Sequence, residues 1–179
     1  MPDDLVSVWD VPMQDGNHRV EFEHGTTTGK RVIRVDGREV LRREWMFKLV
    51  GREVFTIRGV PAAINVETHG TFAYDYTLEV KGKSFAKFTE QQNRSLLTWK
   101  TAVDGDYTRV CLDKDSMDVW VNGHKMDTAG EFVDGGTETH FEIGSHVCFI
   151  KAVSSGKRRT GIQMSLFIDG KQVPATDLL

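Results

Sequence analysis

Apolar and polar residues alternate along most of this chain with a period of two. In Val20-Glu21-Phe22-Glu23 the pattern sets Val20 and Phe22 toward a core and the two glutamates toward water, which is the signature of a half-buried strand. The same rhythm runs through residues 31–35, 53–57, 74–80 and 108–112. Between these runs stand Asp15-Gly16, Asp36-Gly37, Lys81-Gly82, Asp104-Gly105, Asn122-Gly123 and Asp169-Gly170. Such pairs supply the positive φ that two-residue hairpins demand, so antiparallel strands joined by tight turns are predicted. No long segment carries an apolar stripe at helical spacing. Residues 84–93, with Phe85 and Phe88 three apart, offer room for one short helix.

The strand pattern repeats. Val8-Trp9 falls on Thr98-Trp99 and Arg19-Val20 on Arg109-Val110 at one offset, and Val35-Asp36-Gly37 falls on Val121-Asn122-Gly123 after a small shift. Gly51-Arg52-Glu53-Val54-Phe55-Thr56-Ile57 then aligns with Gly144-Ser145-His146-Val147-Cys148-Phe149-Ile150, and Gly82-Lys83 with Gly170-Lys171. Five landmarks in one order point to an internal duplication. The predicted fold is all-β: two related antiparallel units, each of about eight short strands in a sandwich or flattened barrel. Their expected limits are residues 1–90 and 91–179, with the polar stretch 89–95 (TEQQNRS) as the expected linker.

Composition narrows the function classes. In 179 residues, 39% are apolar, enough for a sizeable core. The 23 Lys and Arg stand against 26 Asp and Glu, for a net charge of −3 with the signs mixed. That balance disfavours nonspecific binding to nucleic acid or to an anionic membrane. The start, MPDDLVSVWDV, lacks the basic and apolar regions of a secretory signal, so the mature chain is expected to begin there. No apolar run approaches the roughly 18 to 20 residues of a membrane span, and a soluble protein is expected. Cys111 and Cys148 each lie in apolar-alternating segments and read as free, buried thiols of a reducing compartment, with the cytoplasm as the default location.

Several stretches invite a chemical reading. His24-Gly25-Thr26-Thr27-Thr28-Gly29-Lys30-Arg31 looks like a phosphate cradle, but only three residues separate its glycines, Arg31 stands where Ser or Thr is needed, and a β-branched strand follows instead of a helix. Val20 to Gly37 spans four residues more than Val110 to Gly123, so the stretch reads as an extended hairpin connection, a longer version of the turn at 114–117, and as a candidate contact surface. Glu138, His140 and Glu142 alternate onto one strand face, with His146 and Cys148 nearby, yet close Cys or His pairs bracketing a turn are lacking. The expected reading is a polar strand face without metal.

No Gly-x-Ser-x-Gly elbow is present, and Asp113 with Asp115, or Asp134 with Glu138, fit turn flanks better than an acid and base. The basic run 154–159 (SSGKRR) reads as a solvated loop. Trp9, Trp99, Trp45 and Trp120 are expected to pack in cores, although exposure of Trp45 or Trp120 would mark an interface.

Taken in order, the segments 8–11 (VWDV), 20–27 (VEFEHGTT), 44–51 (EWMFKLVG), 129–134 (AGEFVD), 136–141 (GTETHF) and 150–158 (IKAVSSGKR) resemble the short form of the Fas apoptotic inhibitory molecule family. The resemblance covers nearly the whole chain. It implies a cytosolic, non-enzymatic, all-β protein of two β-rich halves that opposes death-receptor-triggered apoptosis through protein partners, and it also implies a holdase-like role against protein aggregation under stress. It carries over no catalytic residues and no cofactor. A small-ligand or sugar-binding sandwich is permitted by the fold class alone.

Overall fold

The computed structural model describes residues 4–154, 156 and 161–175. It divides into two compact units, one of residues 1–13 and 17–93, the other of residues 14–16 and 94–179. Among the described residues no helix is long and apolar enough to cross a membrane.

The first unit holds two open antiparallel sheets. One is the meander of β1 (Leu5–Met13), β2 (Gly16–His24), β3 (Arg31–Val35) and β4 (Arg38–Arg43), and the other is the meander of β5 (Gly51–Ile57), β6 (Val60–His69), β7 (Ala73–Val80) and β8 (Lys83–Ser84). Val11, Val20, Phe22 and Ile33 from the first sheet form one buried cluster with Phe55, Ile57, Ile64, Leu78 and Val80 from the second. The unit is therefore a sandwich, and each such side chain contributes about 1.5–3 kcal/mol by leaving water.

Helix α1 (Phe85–Ser95) adds Phe88 to that cluster, with Phe85 packed beside it. The Ser84 hydroxyl accepts a hydrogen bond from the Lys87 amide at 3.3 Å, which caps the helix start. The polar stretch 89–95 is thus helix and not an extended linker. Its polar composition reflects the solvent side of a helix whose buried side is set by Phe85 and Phe88, and the Gln92 side-chain amide donates to the Pro12 carbonyl at 3.0 Å.

The second unit repeats the plan. Its first sheet is β9 (Leu96–Val103), β10 (Asp106–Asp113), β11 (Val119–Val121) and β12 (His124–Lys125). Its second is β13 (Ala129–Val133), β14 (Gly136–Ile143), β15 (His146–Ser154), β16 (Ile162–Ile168) and β17 (Lys171–Gln172). Trp99, Val110, Leu112, Val119 and Val121 pack against Phe141, Cys148, Ile150, Leu166 and Val173.

The duplication is visible in single hydrogen bonds. Val20 faces Val35 across β2 and β3, and Val110 faces Val121 across β10 and β11. At the next turn the Arg19 amide donates to Asp36 Oδ1 at 2.9 Å, and the Arg109 amide donates to Asn122 Oδ1 at 2.8 Å. Asp36-Gly37 and Asn122-Gly123 both have positive φ at each residue (53° and 80°; 48° and 83°), the geometry a two-residue hairpin requires.

Sheet order corrects one segment of the repeat. Counting back from the hairpins at Lys81-Gly82 and Asp169-Gly170, β6 corresponds to β15 and β5 to β14, with β13 as an additional edge strand. Residues 51–57 therefore match 137–143, one strand earlier than 144–150. Alternation looks the same on every strand of a meander, so a slip of one strand costs little in the pattern. The four additional residues between β2 and β3 are placed differently from expectation too. Two more rungs, Glu23 opposite Val32 and His24 opposite Arg31, lengthen the ladder beyond that of β10 and β11, and residues 25–30 make the turn.

Candidate interaction surface

Residues 44–50 (EWMFKLV) connect β4 to β5 and adopt neither strand nor helix. The sequence explains this: five of the seven are apolar, yet they follow neither a period of two nor one of 3.6, so no single face can be buried. Trp45 is 65% exposed and Phe47 85% exposed, with ring centroids 6.4 Å apart, and Val50 at the end of the strap is also partly in solvent.

The strap's backbone is held firmly by residues of the connection between β2 and β3 and by the first residue of β3. The Met46 amide donates to the Thr28 carbonyl at 3.0 Å. Gly29, at φ 72°, approaches so closely that a Cβ there would lie 2.4 Å from the Met46 carbonyl oxygen. Arg31, first residue of β3, is 2% exposed and donates from Nη2 to the carbonyls of Lys48 (3.1 Å) and Val50 (2.8 Å). Its Nη1 donates to Glu53 Oε1 at 2.8 Å, and Arg43 Nε donates to the same oxygen at 2.9 Å. Glu53 is 4% exposed. A buried carboxylate shared by two guanidiniums keeps its charge paired, and losing that carboxylate strands the buried Arg31, at a cost of about 3–5 kcal/mol.

The loop that resembled a phosphate cradle directs its amides inward. Gly25 donates to the Lys30 carbonyl at 2.9 Å, Gly29 to the Gly25 carbonyl at 2.8 Å, and Lys30 to the Thr28 hydroxyl at 3.2 Å. Thr26, Thr27 and Thr28 stay exposed on its outer side.

A polar layer lies behind the clamp. His24 is buried, its Nδ1 is 2.7 Å from the Tyr76 hydroxyl, and its ring meets the edges of Tyr74 and Tyr76 at 5.1 and 5.4 Å. Burial pushes the His24 pKa down, partly opposed by the Leu49 backbone, so the ring stays neutral near pH 7. Glu23, expected from alternation to face water, is buried instead, where Arg34 Nη1 lies 2.6 Å from its Oε2.

The other residues singled out from sequence fall into place more simply. Trp99 is in the core of its unit and Trp9 packs on the edge of the other, while Trp120 is half-buried under Lys125, whose Nζ lies 5.8 Å from the ring. Cys111 and Cys148 are free and buried, and burial pushes the Cys148 thiol up to about 11. Asp113 caps a turn by accepting from the amides of Asp115 (3.0 Å) and Ser116 (3.4 Å). Of the histidine and acid candidates, Glu138 and His140 come together, Glu142 does not join them, and His146 instead bridges Asp104 and Asp169. In the basic run, residues 155 and 157–159 lie outside the described residues.

The family model of Fas apoptotic inhibitory molecule (FAIM1) matches residues 5–176. Fas apoptotic inhibitory molecule 1 of Mus musculus is 57% identical over 173 residues, covering 96% of this chain and 97% of that protein. The Homo sapiens protein of the same name is 56% identical over the same length, with 96% and 97% covered. That of Bos taurus is 57% identical, with 96% of this chain and 86% of the relative covered.

Proposed function

This chain belongs to the Fas apoptotic inhibitory molecule family, and on that premise we propose that it is a non-enzymatic cytoplasmic regulator that restrains Fas-triggered apoptosis by binding protein partners through Trp45 and Phe47. One observation carries the choice of surface. Two neighbouring aromatic rings stand in solvent on a strap whose backbone is fixed by Thr28, Gly29 and Arg31. Large rings with few rotatable bonds on a backbone fixed in advance lose little conformational freedom on docking, and aromatics of this kind are enriched among the residues that dominate protein interfaces. A ring pair with no contact to make would be an unfavourable exposure on a free surface. The test is the survival of Fas-stimulated cells with and without the protein. Lower survival without it supports the reading, and equal survival removes it.

A second reading, a holdase-like protector against aggregation, is favoured by the sheet edges. The edge β4 is blunted by Arg38, Glu39, Arg42 and Arg43 and by a register shift at Ile33/Arg34, whereas the edge β5 exposes Val54 and the edge β13 exposes Phe132 at 91%. Open edges with apolar side chains suit the capture of extended clients. Purified protein is expected to slow the aggregation of a model client without ATP, and no slowing at excess protein removes this role.

A further inference from the structure

The outward side of the second unit's larger sheet brings together three side chains from two adjacent strands. Glu131 on β13 stands directly opposite Glu138 on β14, and His140, two residues along β14, lies on the diagonal. His140 Nε2 is 3.2 Å from Glu138 Oε2 and 3.4 Å from Glu131 Oε2. All three donor atoms fit within 4.8 Å of one another.

Two features single this group out from ordinary surface charge. Like charges directly opposite across a ladder repel unless something neutralises them. In addition, Nε2 of His140 is shielded from solvent and makes no hydrogen bond, although two carboxylates face it. A charged N–H bonding to carboxylate closes to about 2.7–2.9 Å, shorter than either separation here. Ligand atoms sharing a tetrahedral ion at bond lengths of about 2.0–2.1 Å are instead roughly 3.3–3.4 Å apart, and the observed separations of 3.2 and 3.4 Å are close to that spacing. The imidazole is held from behind, with its ring 5.4 Å from Phe149, which stacks on Phe167 at 4.8 Å.

The geometry points to a divalent transition-metal site of the zinc class, with His140 Nε2 and one carboxylate oxygen each of Glu131 and Glu138 as ligands. An imidazole beside two carboxylates suits zinc and its neighbours, whereas magnesium and calcium favour all-oxygen sets. Three protein ligands leave a fourth position for water or for a donor from another molecule. Lys151, opposite Glu138 on β15, is the cation with which the ion competes, and Glu142, two residues beyond His140, adds negative charge. Binding ties the edge strand β13 to β14 through side chains as well as through the backbone.

Calorimetric titration of the tag-free full chain with zinc at pH 7 is the test. One equivalent is expected to bind, weakened roughly a hundredfold in His140→Ala and Glu131→Gln. His146→Ala, which alters the other histidine lying between two acids, is expected to bind as the parent does. Because a variant can lose fold as well as ligand, the unaltered protein supplies an independent readout: the His140 Nε2 resonance in a nitrogen-detected NMR spectrum shifts on addition of zinc. Absence of stoichiometric binding, binding undiminished in His140→Ala, or an unmoved His140 resonance overturns the assignment.

Discussion

Arg31 and Glu53, 22 residues apart in the chain, close a buried ion pair at 2.8 Å, and the other arm of the same guanidinium holds the carbonyls of Lys48 and Val50. One side chain thus links the sandwich to the strap that displays Trp45 and Phe47. Arg31→Ala leaves Glu53 with only the half-exposed Arg43, and a loss of about 3–5 kcal/mol in urea-derived unfolding free energy is expected. A change below about 1 kcal/mol, the size of a surface ion pair, would show that the pair is not what fixes this region.

Gly29→Ala combines a left-handed backbone with a clash against the Met46 carbonyl. The expected destabilisation is about 1–3 kcal/mol, together with faster hydrogen exchange at the Met46 amide, whose bond to Thr28 must lengthen. Gly82→Ala, at a hairpin with open space around it, is the control: it shares the unfavourable φ but leaves exchange at Met46 unchanged.

His146 and His24 respond to pH with opposite signs. Hydrogen bonds to Asp169 and then Asp104 hold the His146 pKa above its usual 6.5, so its contribution to stability is complete below 6.5 and is lost as pH rises through the raised value. Asp169, held below 3.8 by His146, contributes above 3.8 and loses that contribution as pH falls through its lowered value. His24, buried neutral, contributes above 6.5 and weakens the fold as pH falls below it. Unfolding of the parent and of His146→Gln across pH 5 to 9 separates them. The stability gap between the two is expected to be widest at the acid end and to narrow above 6.5, and a gap independent of pH would contradict the assigned His146 pairing.

Cys111 and Cys148 are expected to resist alkylation in the native state, because burial raises both thiol pKa values and only the thiolate reacts. Mass spectrometry after iodoacetamide at pH 7.5 is expected to show modification of both only when denaturant is present. Rapid labelling of either in the native protein would contradict their burial.

The fold was legible where its signals are local. Asp36-Gly37, Asn122-Gly123 and Asp169-Gly170 announce hairpins through the backbone preference of two residues, and those turns are where the sequence placed them. Arg58-Gly59 makes the same turn, but Arg58 carries none of the turn preference by which Asp or Asn marks the others. The site was less legible. Alternation assigns Glu23 to solvent, and although it sets Arg31 on the face of Ile33 and Val35 and Glu53 on that of Phe55 and Ile57, nothing local marks these charges as a buried pair, since the pairing joins residues 22 apart in the chain. The strap has no period to read, and the sequence offered only the condition that an exposed Trp45 would mark an interface. The loop at 24–31 reads as a turn from its sequence, and in the fold its Thr28 and Gly29 lie against Met46 of the chain's own strap. Nothing local places Glu131 beside Glu138 and His140, because the register of β13 on β14, which brings it there, is a property of the ladder.

The central claim is that the clamped pair Trp45 and Phe47 delivers protection from Fas-triggered death. It is tested most directly by returning either the parent or the Trp45→Ala/Phe47→Ala variant, at matched abundance, to cells lacking the protein and counting survivors after Fas stimulation. Both side chains are mostly in solvent, so the variant is expected to unfold at the same urea concentration as the parent while failing to restore survival. A folded variant that protects as well as the parent would place the activity on another surface.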